Sequence, residues 1–322
     1  EVVWVQLRAD CTGEDGTAAN PYCQIGWALA ALGARRYVAV MDSTTAESYS
    51  VVVVGAGTTV EIYGVGAGAN IQARVDQYAV DCTDATLTLA GLGITGTRGL
   101  TPSRDGIRST RCTLTLQDLS IDSNGGIGLS ASAGTTNLNT VQITGNGGIG
   151  LSAQMGADVT MTRCWVSRNM SGGMQLMDAR FTVQNTFVVD ANGSASSTLG
   201  GVLIGTARAG SVFSNNTVVG NQGGLAAAGG TICGGGFAVV NSIVASNTGG
   251  AGNNSGCMLD SSPADPTPML GGADGYHLTA GSTCCLDMGR SGADVPADDF
   301  DGDTRPCPAG GAVDIGADEL CP

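Results

Sequence analysis

The chain of 322 residues is 42% hydrophobic but only 4% aromatic, and 28 acidic side chains face 14 basic ones, all arginine, for a net charge of −14. That balance excludes nucleic acid as a partner, because phosphate recognition rests on clustered positive charge. No run approaches the ~18 apolar residues of a membrane-spanning helix, so no membrane span is expected. Eleven cysteines beside a single histidine point to an oxidising exterior rather than a zinc site.

Residues 1–49 read as an N-terminal cap, a cysteine-bounded loop followed by a short helix. Ile25, Ala28, Leu29 and Leu32 recur at helical spacing and Gly33 ends the run. The runs 37–41, 50–54 and 59–62 follow as irregular strands. Glu1 is expected to follow a removed signal peptide, which places the protein in the secreted, extracellular or cell-surface class.

Residues 50–258 carry a repeat: an apolar-alternating run, an asparagine, then a glycine doublet and a second alternating run. Asn124, Asn146, Asn169, Asn192, Asn221 and Asn247 mark the copies at intervals of 22, 23, 23, 29 and 26 residues, the length of one β-solenoid turn. Three residues before each asparagine stand Ile121, Ile143, Val166, Val189, Val218 and Val244, and two further back come Leu119, Val141, Cys164 and Phe187. Such period-2 alternation buries one strand face. A second inward pair follows the glycines, from Ile127 and Leu129 and Ile149 and Leu151 through Val202 and Ile204 to Leu225 and Ala227. A third precedes the asparagine strand, as in Leu114 and Leu116 or Phe181 and Val183. Three short strands per turn describe an all-β, parallel β-helix of about nine rungs. The doublets are expected at bends that need positive φ, and the asparagines at turns where stacked copies form a ladder.

The odd cysteine count leaves one without an intrachain partner, and Cys164, in an inward apolar column, is expected to remain a buried thiol. The other ten pair plausibly as Cys11 with Cys23, Cys82 with Cys112, Cys233 with Cys257, and Cys284 and Cys285 with Cys307 and Cys321. A bridge between adjacent Cys284 and Cys285 is not expected, because it needs strained geometry.

Residues 259–322 read as an acidic, cysteine-rich C-terminal cap, with 12 of the 28 acids at or beyond residue 260. Asp299, Asp301 and Asp303 alternate through a glycine turn, the opening of an oxygen-rich calcium loop, although no glutamate stands at the twelfth position. Calcium is therefore a candidate ligand and no cofactor is required; the competing reading is a salt-bridge network closed by Arg305. His277, beside Tyr276, reads as a packed, hydrogen-bonded side chain.

Two motif sets carry a resemblance. The segment CTGEDGTAANPYCQIGWALAALG at 11–33 resembles the N-terminal cap of secreted bacterial right-handed β-helix proteins, which often carry Cys-Ser-Leu-Arg-Glu-Ala there. Cys23 and Ala28 match that pattern, while Gly26 and Trp27 replace Arg-Glu. In the tail, YHLTAGS at 276–282, LDMG at 286–289, DFDGDTRP at 299–306 and VDIGADE at 313–319 resemble the ending of the bacterial choice-of-anchor Q β-helix proteins. That resemblance implies a secreted or surface-displayed β-helix with no single shared activity. Cys284, Cys285, Cys307 and Cys321 depart from it and suggest a disulfide-locked cap, and covalent or membrane anchoring through a tail after Pro322 is not expected.

Two functions compete. Parallel β-helices house polysaccharide lyases and glycoside hydrolases, and such chemistry needs paired carboxylates or an arginine base beside a calcium-bound uronate. Asp122 and Asp190 share a repeat column but fall three rungs apart, roughly 14 Å, too far for a glycosidase pair. Arg163 and Arg168 are expected to pair with Asp158 or Asp178. No residue is assigned to catalysis. The favoured reading is a non-catalytic structural or adhesive β-helix of a bacterial surface or matrix, with self-association into filaments, other surface proteins or glycans as partners.

Overall fold

A computed structural model describes residues 1–45, 48–66, 68–72, 76–96, 104–192, 199–224, 228–263 and 267–321. The chain divides into two compact units, Glu1–Gly148 and Ile149–Pro322, each a parallel β-solenoid.

In the first unit the apolar alternation builds two walls. One stacks Val2–Val5, Tyr37–Met41, Thr59–Val65, Thr86–Ala90, Thr113–Asp122 and Thr135–Thr144, all in parallel register. The other stacks Val52–Val54, Val80–Thr83, Ile107–Thr110 and Leu129–Ser132. The inward column Val60, Leu87 and Leu114 is fully buried, as is Ile62, Leu89 and Leu116. Each such side chain contributes about 1.5–3 kcal/mol relative to exposure. The opening strand Val2–Val5 lies outside the sequence reading, which began its strands at residue 37; it pairs in parallel with Tyr37–Met41. The helix Ile25–Ala30 buries Ile25 and Ala28 and leaves Trp27 half exposed.

The second unit repeats the scheme with shorter strands. Asp158–Thr162, Arg180–Gln184, Val212–Ser214, Ala238–Val240 and Met258–Asp260 form one stack. Trp165–Ser167, Phe187–Val189, Thr217–Val219 and Ile243–Ala245 form the next. Leu151–Gln154, Met174–Leu176, Val202–Ile204, Thr231–Cys233 and Asn254–Ser255 complete each turn.

Several columns differ from the sequence reading. Val188, not Val189, pairs with Val166 and Val218, so Phe187 and Val189 point outward. The ladder shifts with them: the Ala191 amide donates to Asn221 Oδ1 at 2.9 Å, and Asn192 is exposed. The extra residue that aligned Asn192 with the others lies after the ladder position, not before it. Elsewhere the ladder is regular. Asn124 donates to Asn146 Oδ1, Asn221 to Asn247 Oδ1, and Asn247 to Asn253 Oδ1. Each side-chain amide also reaches the carbonyl of an inward residue one rung away, as Asn146 does to Ile121 and Asn247 to Val218. Because these asparagines are buried, the bonds satisfy groups that would otherwise cost about 1–3 kcal/mol each.

The glycine doublets have a different cause from positive φ. Apart from Gly172, none of them takes it; the left-handed positions are corners such as Asp118, Thr140, Arg163, Asn185, Asn215 and Asn241. A Cβ on Gly147 would lie 2.3 Å from the Gly125 carbonyl oxygen, and one on Gly200 would lie 2.2 Å from that of Gly229. Backbones of successive rungs approach too closely there for any side chain. The inward pairs after the doublets begin two residues later than expected in early copies, at Leu129 and Ala131 and at Leu151 and Ala153. Thr231 and Cys233 occupy the column assigned to Leu225 and Ala227, which lie outside the described residues.

Cys11 with Cys23, Cys82 with Cys112 and Cys233 with Cys257 stand at Cα separations of 5.8, 6.2 and 4.8 Å, within disulfide range. At the C-terminal end the pairing departs from expectation: Cys307 faces Cys321, and the sulfurs of Cys284 and Cys285 face each other. The module folds so that Cys307 and Cys321 lie 5.2 Å apart at Cα, which leaves the adjacent pair to itself. Cys164 stays a thiol, buried, with its sulfur 3.2 Å from the Thr162 carbonyl.

Candidate functional site

Outward columns decide what each wall can do. In the first unit Asn70, Gly93, Ser120 and Gln142 stack in one column, and Gln72, Thr95, Asp122 and Thr144 in the next. With the corners Asp118 and Thr140, the first of these columns lines a shallow groove of about 470 Å³. Glycine at position 93 keeps it open, since a Cβ there would lie 1.9 Å from Asn70 Oδ1.

In the second unit the corresponding columns read Trp165, Phe187, Thr217, Ile243 and Ser167, Val189, Val219, Ala245. The C-terminal module covers this apolar wall. Leu278, Cys285, Ile315 and Ala317 pack with Phe187, Val189, Val219, Ile243 and Ala245 in one buried cluster. Phe300 stands edge-on to Phe187 at 4.8 Å between ring centroids, and Trp165 lies 5.0 Å from Phe187. Gly316 has φ +115°, and a Cβ there would lie 2.8 Å from Ile243, so the chain can cross the wall only with glycine at this point.

Two polar rows anchor the module. The left-handed corners Asn185, Asn215 and Asn241 donate their side-chain amides to the carbonyls of Asp298, Asp314 and Arg290, at 2.7, 3.3 and 2.8 Å. Asparagine visits that backbone region more readily than most residues, so one residue type serves both corner and anchor. Directly after these corners, Thr186, Asn216, Ser242 and Ser262 form a second internal ladder: Thr186 N–H to Asn216, Asn216 N–H to Ser242, Ser242 N–H to Ser262, at 3.0, 3.1 and 2.8 Å. The sequence reading passed over both rows. Their signal is the doublets Asn185-Thr186, Asn215-Asn216 and Asn241-Ser242, spaced 30 and 26 residues apart.

The acids of the module act mainly as backbone clamps. Asp299 accepts the amides of Gly302 and Asp303 on one oxygen, each at 2.7 Å, and that of Glu319 on the other at 2.9 Å. Asp314 holds the amides of Asp287 and Leu320, and Asp318 that of Leu278. Arg305 is buried and meets Glu319 at 2.7 Å while donating to the carbonyls of Asp314 and Gly316. It therefore neutralises Glu319 rather than closing a network with Asp299, Asp301 and Asp303. Burial pushes the carboxyls of Asp314 and Glu319 up, and that of Asp318 up to about 6, and it pushes Arg305 down despite Glu319.

Asp299, Asp301 and Asp303 are not gathered around one point: Asp299 is spent on amides and Asp301 turns to His277. His277 lies between two carboxylates, with Nδ1 3.0 Å from Asp274 and Nε2 3.1 Å from Asp301. Burial disfavours its protonated form, but Asp274, Asp318 and Asp301 together outweigh this and hold the ring above its ordinary value.

Along the walls, acids and arginines pair from rung to rung: Asp76 with Arg104, Asp81 with Arg108, Asp84 with Arg111, Asp158 with Arg180, and Asp178 with Arg208. Arg163, expected to join Asp158 or Asp178, instead donates to the carbonyls of Phe300 and Asp301 in the module. Arg163 stands at a left-handed corner of the backbone.

A family model described as "Right handed beta helix region" matches residues 94–262, more than half of the chain, and the protein belongs to that family. Comparison with curated proteins and with solved structures gives no match. The family contains both enzymes and structural proteins.

Proposed function

We propose that this protein is a non-catalytic structural or adhesive β-helix of a bacterial surface or matrix, acting outside the cell. The observation that carries this reading is how the wall charges are used: five arginines are engaged rung to rung with five aspartates, so these charges are spent on one another rather than set out as a reacting pair. Oxidised cysteine pairs at both chain regions support an extracytoplasmic setting. The deciding test incubates the purified protein with uronate polymers and neutral polysaccharides, with and without calcium, and follows new reducing ends and unsaturated products. No product under any condition is the expected outcome; turnover that Asp122→Asn abolishes overturns the reading. Negative-stain microscopy across protein concentration checks self-association into filaments.

The polar groove on the first unit favours a second reading, a glycan-binding β-helix, since Ser120 and Gln142 on adjacent rungs about 4.8 Å apart, and Asn70 two rungs from Ser120, offer amide and hydroxyl partners in one row. Glycan-array binding lost on Gln142→Ala supports it.

A further inference from the structure

We propose that His277, Asp301 and Asp318 form a binding site for a divalent transition-metal ion of the zinc type. Their ligand atoms all lie within 4.8 Å of one another, and His277 Nε2 stands 3.1 Å from Asp301 Oδ2. Two ligands of a tetrahedral ion with bonds near 2.0–2.1 Å lie about 3.3 Å apart, so His277 and Asp301 already stand near ligand spacing and Asp318 is within 4.8 Å of both.

The surroundings are those of a ligating histidine. Asp274 Oδ1 stands 3.0 Å from Nδ1 while Nε2 faces the site, which is how a carboxylate is placed behind a metal-bound imidazole. The ring is held laterally by Phe187 and Phe300, at centroid distances of 5.1 and 6.0 Å, so its orientation is set by packing. Asp318 is 7% exposed and its Oδ2 is anchored by the Leu278 amide, while the Asp301 side chain is 52% exposed and gives an ion its entry. Three protein ligands leave a fourth position to water. An imidazole donor selects against calcium and magnesium, which prefer oxygen alone. This site shares Asp301 with the calcium expectation but uses His277 and Asp318 in place of Asp299 and Asp303. It joins three stretches of the C-terminal module and would clamp them onto the apolar wall.

The site is tested on the full oxidised chain, stripped of metal, by titrating zinc chloride calorimetrically at pH 7.5, with calcium chloride in parallel. One saturable zinc site is expected, with a melting temperature that rises with zinc and not with calcium. His277→Gln and Asp301→Asn should each weaken zinc binding at least about tenfold, and Asp274→Asn by about tenfold through loss of the carboxylate behind the ring. Asp301 is exposed, so its variant keeps the fold even if His277→Gln does not; circular dichroism verifies both. Cobalt substitution should give a visible absorption band that D301N alters. Absence of saturable zinc binding, equal binding by D301N, or equal stabilisation by calcium overturns the proposal and leaves His277 as an ion-paired side chain.

Discussion

The same outward positions, after the same left-handed corner, carry Ser120 and Gln142 in the first unit and Trp165, Phe187 and Ile243 in the second. The first set lines an open groove; the second lies under the C-terminal module. In a strand with alternate residues facing in and out, the inward half fixes the solenoid and leaves the outward half at liberty. Whether a wall receives solvent or another piece of chain is thus decided by a few side chains that contribute nothing to the rung itself.

The contrast can be broken most severely at Arg305. Arg305→Ala leaves Glu319 buried without its cation and should cost about 3–5 kcal/mol. Hydrogen exchange should show the module opening while amides of the first unit keep their protection; uniform loss of protection would mean the two units are not separable in stability. Next comes the covered wall: Phe187→Ala should cost about 3–5 kcal/mol, whereas Gln142→Ala, on the open wall, should stay within about 0.5 kcal/mol. Chemical denaturation of both variants measures the difference directly.

A smaller effect probes the internal ladder. Asn216→Ala strands the Thr186 amide inside the solenoid and should cost about 1–3 kcal/mol, read as a shift in denaturation midpoint. Acid then separates wall from module by sign. Arg111 and Arg208 hold Asp84 and Asp178 below the usual carboxylate range, so their contribution is present above the unfolded value and is lost as pH falls through the lower folded value. Burial raises Asp314, so its contribution is present below the unfolded value and fades as pH rises through the higher folded one. Carboxyl-carbon NMR titration should place Asp314 above model compounds and Asp84 and Asp178 below them. The smallest effect is Arg208→Gln, an exposed pair that solvent screens; no resolvable change in melting temperature is expected.

Much of the solenoid was legible because inward alternation is obligatory: Leu114, Leu116, Ile121 and Val218 were assigned to the core and are buried. The errors cluster where spacing alone had to choose between neighbours. Val188 and Val189 are both apolar and both buried, one by the core and one by the module, so composition could not tell them apart. Aligning on Asn192 then carried the ladder one residue off. Glycine doublets were found, but their reason, backbone against backbone at 2.2–2.3 Å from an added Cβ, belongs to neighbouring rungs and has no local signature. The cluster at His277 was illegible for the same reason. Its members come from residues 274, 277, 301 and 318, which meet only when the module lies on the wall.

The covered wall also has a consequence in time. Its last strand, Ile243–Ala245, precedes the segment around Gly316 that shields it by some seventy residues. At ordinary synthesis rates of about 5–20 residues per second, Phe187, Val189 and Ile243 wait several seconds on the ribosome with no cover. During that interval a nascent chain presents a greasy, flat, repetitive surface of the kind that chaperones and neighbouring chains seize. Any truncation before residue 313 would make that interval permanent, turning a transient hazard of biogenesis into a sticky product.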